Sequence, residues 1–518
     1  MSRRVKNCRV SRHFKNGATV DPTARQTLQL IVSLASSGRY DEAAAQAETL
    51  EDALAALEAW TFLCRANANS QRWNEAQFAL DRALRIDPGL TILGLERALL
   101  AEQQGRLDEA LVRFENLAAS DPDSPVAVEH LARLLQSVGR EEDAARRLEA
   151  ALARWPIDAR LHRQLAAVRW RLGAAGQTTV PLERAIEAHP DSVPLRLVAA
   201  ESLRNAGEIS RALAIVEAGL ARDREAPGLL TSAGVLLDEL GRDAEALARL
   251  RHALRLAPHS PAARRNLVPA LLRAGEHGEA LSLLDRMVRE SPDDQMLIAW
   301  RTTALRLAGD PAYGLMVDYE RLVQVCELAP PEGFTDIATF NTHLARELVA
   351  LHRSAVRPLT QSLRGGTQTE RNLPDDSTRH PAIAAFFRAL DTPIRRYLDS
   401  LDPARDHPTD RRRGNGYRIA GSWSVRLQSQ GFHCSHVHPQ GWISSAYYVQ
   451  LPAWSGEARE GWLKFGEPGM SRPVCPPDLF IQPLPGRLVL FPSFLWHGTV
   501  PFAAHGERLT AAFDVVPG

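Results

Sequence analysis

Residues 241–260 read GRDAEALARLRHALRLAPHS. A glycine opens the stretch, an alanine- and leucine-rich run follows, and Pro258 closes it. The glycine recurs every 34 residues, at Gly105, Gly139, Gly173, Gly207, Gly241, Gly275 and Gly309. Gln71 holds that register one step earlier, and Gly38 stands one residue out of it. Proline keeps the same period at Pro88, Pro122, Pro156, Pro190, Pro258 and Pro292; Arg224 interrupts it, with Pro227 nearby. A small residue keeps a third register at Ala98, Ala132, Ala166, Ala200 and Gly234. A fourth follows at Ala110, Ala144, Ala212, Ala246 and Ala280, with Thr178 as its exception.

Each register has a physical task. Glycine closes a helix because it takes the left-handed C-terminal conformation without a Cβ penalty. Proline ends the next helix because it cannot continue a helix interior. The small residues let two helices cross closely. This pattern, carried by segments such as Gly241–Ala246 and Arg255–Pro258, resembles tetratricopeptide repeats. The resemblance implies an all-α solenoid of about eight or nine two-helix units over residues 24–328, the last of them, around Gly309, degenerate. Most of the Leu and Ala periodicity is then core. The resemblance also implies a concave groove for a protein or peptide partner. No repeated Asn, Lys or Arg set marks a particular ligand end.

The 518 residues exceed one ordinary domain. Lys+Arg and Asp+Glu both number 62, so no global field draws the chain to nucleic acid or to a membrane. The basic start (Arg3, Arg4, Lys6, Arg9; residues 1–23) lacks the apolar run of a secretory signal and reads as a disordered tail. Nothing approaches the roughly 18 apolar residues of a membrane span. Five scattered cysteines (Cys8, Cys64, Cys326, Cys434, Cys475) with no CxxC fit a reducing cytoplasm.

After about residue 328 the texture changes. Pro330-Pro331-Glu332-Gly333 is a break, and helices are expected over Thr339–Leu359 and Ala382–Leu401. Arg411-Arg412-Arg413 reads as a solvated loop. From Tyr417 onward short apolar runs predict strands at Tyr417–Leu427, His436–Val437, Ile443–Leu451, Trp462–Phe465, Arg487–Phe491 and Leu509–Val516. Residues 329–518 thus form a second domain with a β core over 417–518, a sandwich or barrel.

In a strand, residues two apart share a face. His436 and His438 can therefore reach one metal, with His497 joining from a later strand. Neutral imidazoles suit iron, zinc, copper or nickel. Arg508 and Thr510 share one face of the last strand, as does Ala512, and can clamp a carboxylate. The competing reading of Arg508 is a surface pair with Glu507. Cys434 reads as a bystander, and no GxSxG, Walker A loop, GxGxxG or HExxH supports another enzyme class.

His436-Val437-His438-Pro439, Ser444–Tyr448, Gly486–Ser493, His497 and Arg508 resemble Fe(II)- and 2-oxoglutarate-dependent oxygenases, specifically those with HxHP, SGxYY-like and FPSxxxH elements. Gly365–Thr369 also fits. The resemblance covers roughly residues 335–518. It implies a double-stranded β-helix (jelly roll) with flanking helices, Fe(II), 2-oxoglutarate and O2 as cofactor and co-substrates, and hydroxylation coupled to decarboxylation of 2-oxoglutarate. His436 and His497 then ligate metal, Arg508 and Thr510 hold the far carboxylate, and Tyr447 or Tyr448 supplies a hydroxyl. No catalytic residue beyond the metal site is implied. The chain departs from the usual pattern at His438, where an Asp or Glu is expected. Asp514 lies far along the last strand and is not assigned as a ligand. Cupins, which also use HxH, normally add a glutamate shortly afterwards, and residues 439–445 contain none. The expected function is a hydroxylase with a repeat array for its protein or peptide substrate. The alternative is a binding scaffold whose β domain is catalytically degenerate or uses another metal or co-substrate.

Overall fold

The structure, a computed structural model, describes residues 21–70, 72–120, 124–173, 178–352, 362–369, 372–373, 378–414, 416–453 and 459–518. The basic start up to residue 20, Gln71, Pro122 and residues 353–359 lie outside them. The chain is a helical solenoid followed by an antiparallel β region. The described residues form two compact units, one up to Leu165 and one from Ala166 onward.

Eight helix pairs and a ninth leading helix run from Pro22 to Leu307 among the described residues. Gly105, Gly139, Gly173, Gly207, Gly241, Gly275 and Gly309 all have left-handed φ between 66° and 89°. At Gly105 the amide donates to Glu102 O (3.0 Å) and the Arg106 amide to Ala101 O (2.9 Å), which satisfies the last carbonyls of the helix. Gly38, one residue out of register, makes the same closure, its φ being 81°. Pro88, Pro156, Pro190, Pro258 and Pro292 each stand two residues after a helix end. The small-residue registers are helix crossings: a Cβ on Gly234 would lie 2.5 Å from Leu250 Cγ and 3.2 Å from Ala246 O.

In the first unit, neighbouring leading helices are also tied by ion pairs. Arg133 bridges Glu102 with two bonds of 2.9 Å, and Arg65 pairs with the buried Glu96. The helix Ala53–Asn69 buries Trp60, Phe62, Leu63 and Cys64 in one core with Ile31, Leu80 and Leu93.

In the second unit, short helices Ala312–Met316 and Tyr319–Leu322 follow the last long helix. Among the described residues nine strands occur: β1 (Gln324–Glu327), β2 (Leu363–Gln368), β3 (Tyr417–His433), β4 (Ile443–Gln450), β5 (Leu463–Phe465), β6 (Leu479–Ile481), β7 (Arg487–Pro492), β8 (His497–Thr499) and β9 (Arg508–Pro517). They form two antiparallel sheets, β1-β7-β4-β9-β3-β2 and β6-β5-β8. This arrangement fits a double-stranded β-helix. β1 lies inside the stretch read as repeat array and pairs with β7, so the sheet begins before the Pro330 break.

Alternation sorts the large sheet into two buried faces. Ile443, Tyr447 and Val449 of β4, Leu488 and Leu490 of β7, and Leu509, Ala511, Phe513 and Val515 of β9 pack under helices Ile337–Leu351 and Pro381–Asp399. Glu347 on the first helix accepts from the Ala382 and Ile383 amides (3.0 Å each), closing the free N-terminus of the second. Tyr448, Val489 and Phe491 face the other way and share a core with Phe465 and Val437.

That second core includes repeat helices of the same unit: Leu267, Leu271, Ile298 and Trp300 belong to it. Trp496 packs edge-on against Trp300, at 4.9 Å between centroids. Its indole N–H reaches Thr303 Oγ1 (2.9 Å) and Ala299 O (3.1 Å). Three arginines fasten the 466–478 loop. Arg306 donates to Gly466 O (3.1 Å) and Pro476 O (2.9 Å), Arg273 to Arg472 O (2.9 Å), and Arg472 to Asp238 O (3.2 Å).

The Arg411–Arg413 stretch is not the solvated loop expected. Arg412 donates to Gly441 O (2.8 Å) and Arg413 to Leu401 O (2.6 Å), while Asp410 is fully buried against Arg321, with two bonds of 3.0 Å. A run of positive charge could not signal this, because its partners are carbonyls distant in sequence.

Gly139→Ala should lower stability by about 1 kcal/mol, because only the left-handed φ is strained. Gly234→Ala should cost more, because its methyl group enters the Leu250 side chain. Urea unfolding of the two variants checks the order. His352 joins the end of its helix to Thr367 Oγ1 (2.8 Å) and Ser424 Oγ (3.1 Å). Burial, then the Arg426 charge, pushes its pKa from 6.5 to about 4. Above the unfolded value the ring is neutral in both states. As pH falls from the unfolded towards the folded value, only the unfolded chain takes up the proton, so stability is lost. Thermal midpoints should therefore move in favour of His352→Gln, relative to wild type, as pH drops from about 7 to about 4.5.

Candidate metal centre

The segment after β3 is not the short strand expected at His436–Val437. It makes one antiparallel bridge, with β8: the His436 amide donates to His497 O (2.9 Å) and the His497 amide to His436 O (3.1 Å). His438 then donates its amide to Ser493 O (3.0 Å). Short bonding to two different partners ends the ladder, yet the side chains converge. One ligand atom from each of His436, His438 and His497 lies within 4.8 Å of the other two.

The outer ring nitrogens are engaged. His436 Nδ1 lies 2.9 Å from Cys434 O and His497 Nδ1 2.9 Å from Leu495 O, while His438 Nδ1 lies 2.5 Å from Asp514 Oδ1. Carbonyl and carboxylate oxygens accept, so each Nδ1 is a donor, which leaves Nε2 as the nitrogen available to a metal. Burial, followed by the neighbouring His438 charge, pulls the His436 pKa to about 4, and burial holds His497 well below the usual range. Neutral imidazoles of this kind are the form that binds metal. Phe491 packs at 4.7 Å and Phe465 at 6.4 Å from the His497 ring, which keeps that side apolar.

β9 carries Arg508, Thr510, Ala512 and Asp514 on the face that looks between the sheets. Arg508 is 3 % exposed, and its Nε has no hydrogen-bond partner. Its guanidinium sits 5.1 Å from the centre of the Tyr448 ring, and the fully buried Tyr448 hydroxyl also lacks a partner. The two side chains face each other, yet Arg508 Nε and the Tyr448 hydroxyl are left without a hydrogen bond, and a carboxylate is a group that would supply acceptors there. The surface-pair alternative for Arg508 does not hold, since Glu507 pairs with Arg426. Thr510 is buried opposite Tyr448 in the β4–β9 register.

The two tyrosines separate by strand phase. Tyr447 points to the helix side: its hydroxyl donates to Asn341 Oδ1 (2.7 Å) and its ring packs on Phe386 at 5.0 Å. It is therefore corrected from the candidate co-substrate contacts, and Tyr448 remains. His433 stacks on His436, with 5.4 Å between centroids, and meets Ser362 Oγ at 3.1 Å. Cys434 contributes only its carbonyl to the cluster. Gly365 and Gly366 sit where β2 bulges against β3; a Cβ on Gly366 would lie 2.3 Å from Arg426 O. Asp514, which the sequence alone does not assign to the centre, contacts it through His438. Its position two, four and six residues beyond Ala512, Thr510 and Arg508 on the same face was the available signal.

Among the described residues, no helix is long and apolar enough to cross a membrane. Comparison with known proteins gives two family matches. Residues 421–514 match the family described as "Putative 2OG-Fe(II) oxygenase". Residues 101–168 and 239–299 match the tetratricopeptide repeat family. No curated protein matches the chain. Among solved structures, yeast Tom70 is 16 % identical over 59 % of this chain and 69 % of its own, with a TM-score of 0.41. A tetratricopeptide repeat protein from Parabacteroides merdae is 16 % identical over 48 % of this chain and 98 % of its own, with a TM-score of 0.33. The TPR protein TTC0263 from Thermus thermophilus is 21 % identical over 42 % of this chain and all of its own, with a TM-score of 0.26. The chain thus carries tetratricopeptide repeats within residues 101–299 and, over residues 421–514, a region that matches the family described as "Putative 2OG-Fe(II) oxygenase".

Proposed function

We propose that this protein is an Fe(II)- and 2-oxoglutarate-dependent dioxygenase that hydroxylates a protein or peptide substrate recruited by its repeats. One observation carries the reading. Three converging imidazoles occur in the same β region as a buried arginine whose Nε, and a buried tyrosine whose hydroxyl, have no hydrogen bond. In this reading residues 24–328 form the recruiting array and 329–518 the oxidising domain, with β1 contributed from just before that boundary.

His436, His438 and His497 would hold the metal through Nε2, their Nδ1 protons turned outward. Arg508 would take the far carboxylate of 2-oxoglutarate, with Thr510 beside it and the Tyr448 hydroxyl donating to the co-substrate. Bound Fe(II) and 2-oxoglutarate would supply the oxidising chemistry, in which O2 converts 2-oxoglutarate to succinate and CO2 and an oxygen atom enters a C–H bond. The protein's part is orientation and dryness. Phe465 and Phe491 keep bulk water from the His497 side, and Trp496 anchors the residue next to that ligand on the repeat helix Gln295–Leu307. The leading helices of the last three units hold the protein's own 466–478 loop and Trp496, so a partner would engage the earlier units.

Protein purified without oxygen, given ferrous iron and 2-oxoglutarate and then exposed to air, should form succinate above a His497→Ala control. Absence of that difference, with metal bound, would leave the scaffold reading. Arg508→Ala should weaken 2-oxoglutarate binding by roughly 10- to 100-fold, as expected for loss of a charged bidentate contact. Tyr448→Phe should weaken it less, and Tyr447→Phe should leave it unchanged. Isothermal titration of the metal-loaded protein without oxygen checks all three.

A further inference from the structure

We propose that Asp514 is a positioning residue for the metal centre, holding His438 as a ligand and supplying negative charge through its ring. The inference rests on the reading of His436, His438 and His497 as metal ligands. The three histidines are not equivalent at their outer nitrogens. His436 and His497 each give the Nδ1 proton to a backbone carbonyl, whereas His438 gives it to a carboxylate. Among the described residues, Asp514 is the one carboxylate hydrogen-bonded to the triad.

The contact is built from several sides. The Asp514 carbon backbone lies opposite Ser444 in the β4–β9 register. Ser444 Oγ donates to Asp514 Oδ1 (2.7 Å) and lies 2.8 Å from Ser493 Oγ and 3.0 Å from His438 Nδ1. The His438 amide is bonded to Ser493 O and its carbonyl to the Gly441 amide (3.0 Å each). A Cβ on Gly441 would lie 2.3 Å from Ser493 Oγ and 3.5 Å from the Asp514 carboxyl carbon, so a side chain there would crowd this network. The Trp423 ring packs beside His438 at 5.2 Å between centroids. His438 is thus held at its backbone, at its ring face and at Nδ1.

Imidazole ligands bring no negative charge to offset a divalent cation, and the buried Arg508 adds another positive charge. A carboxylate one ring away lowers the energy of the loaded centre, because charges interact strongly where water is scarce. The hydrogen bond also fixes the tautomer that leaves Nε2 free and makes that nitrogen a better donor to metal.

The test is titration of the full chain with Co(II), followed by visible absorption, for wild type, His497→Ala, Asp514→Asn and Asp514→Glu. Circular dichroism of each metal-free protein reports its fold. Asp514→Asn should weaken Co(II) binding by about 10- to 100-fold, and Asp514→Glu should recover part of the loss. In a His438→Asp background the effect should reverse, because two carboxylates then abut and Asp514→Asn relieves their repulsion. A merely structural role would weaken binding in both backgrounds. If Asp514→Asn is folded and binds Co(II) within about twofold of wild type, while His497→Ala does not bind, the proposal fails and the metal reading stands. If wild type binds no better than His497→Ala, the metal reading itself fails and takes the proposal with it.

Discussion

Two reciprocal backbone hydrogen bonds, between His436 and His497, hold the candidate centre together. They join a loop leaving β3 to the short β8 strand at the rim of the small sheet. The two bonds thus tie the segment that carries His436 and His438 to the strand that carries His497, and the His438 amide bond to Ser493 O supports the same approach. The alternation of β4 and β9 completes the arrangement. One face of each strand goes to the helix-covered core, and the other supplies Ser444, Tyr448, Arg508, Thr510 and Asp514 to the space between the sheets.

The centre is also coupled to the repeats of its own unit. Trp496, directly before His497, is bonded to Thr303 and packed edge-on against Trp300 of the last long helix. Arg273 and Arg306 hold the 466–478 loop by its carbonyls. Each such charged bond is modest, but the shared apolar core beneath them is continuous, and burial of that core dominates. The repeats therefore act as part of the wall behind the site as well as an array in their own right. The leading helices of the last three units are thus already engaged by the protein's own β region.

Much of the fold was legible in the residues. The glycine period marks helix ends because left-handed φ is cheap only without a Cβ, and even the out-of-register Gly38 obeys it. The longer strands, β3, β4, β7 and β9, were visible as apolar runs. The three-residue β5 was visible too, within the apolar run Trp462–Phe465, whereas β1, β2, β6 and β8 were not, because they are short and lack an apolar run that sets them off from their flanks. The choice between Tyr447 and Tyr448 failed for another reason: both faces of the sheet are buried, so burial cannot phase the strand.

The sequence by itself determined the repeat architecture, the β character of the C-terminal region and the identity of His436, His438, His497 and Arg508 as one group of interest. These follow from local rules: helix termination, strand alternation and the chemistry of side-chain types. Only the tertiary structure decided what stands behind the histidines. His438 meets Asp514, 76 residues away, because strand pairing brings β9 alongside β4 and Ser444 fills the gap between them. A contact made by register between distant strands leaves no trace in local spacing. So the acid absent at position 438 could be seen as missing in the sequence, and as standing one hydrogen bond further out only in the fold.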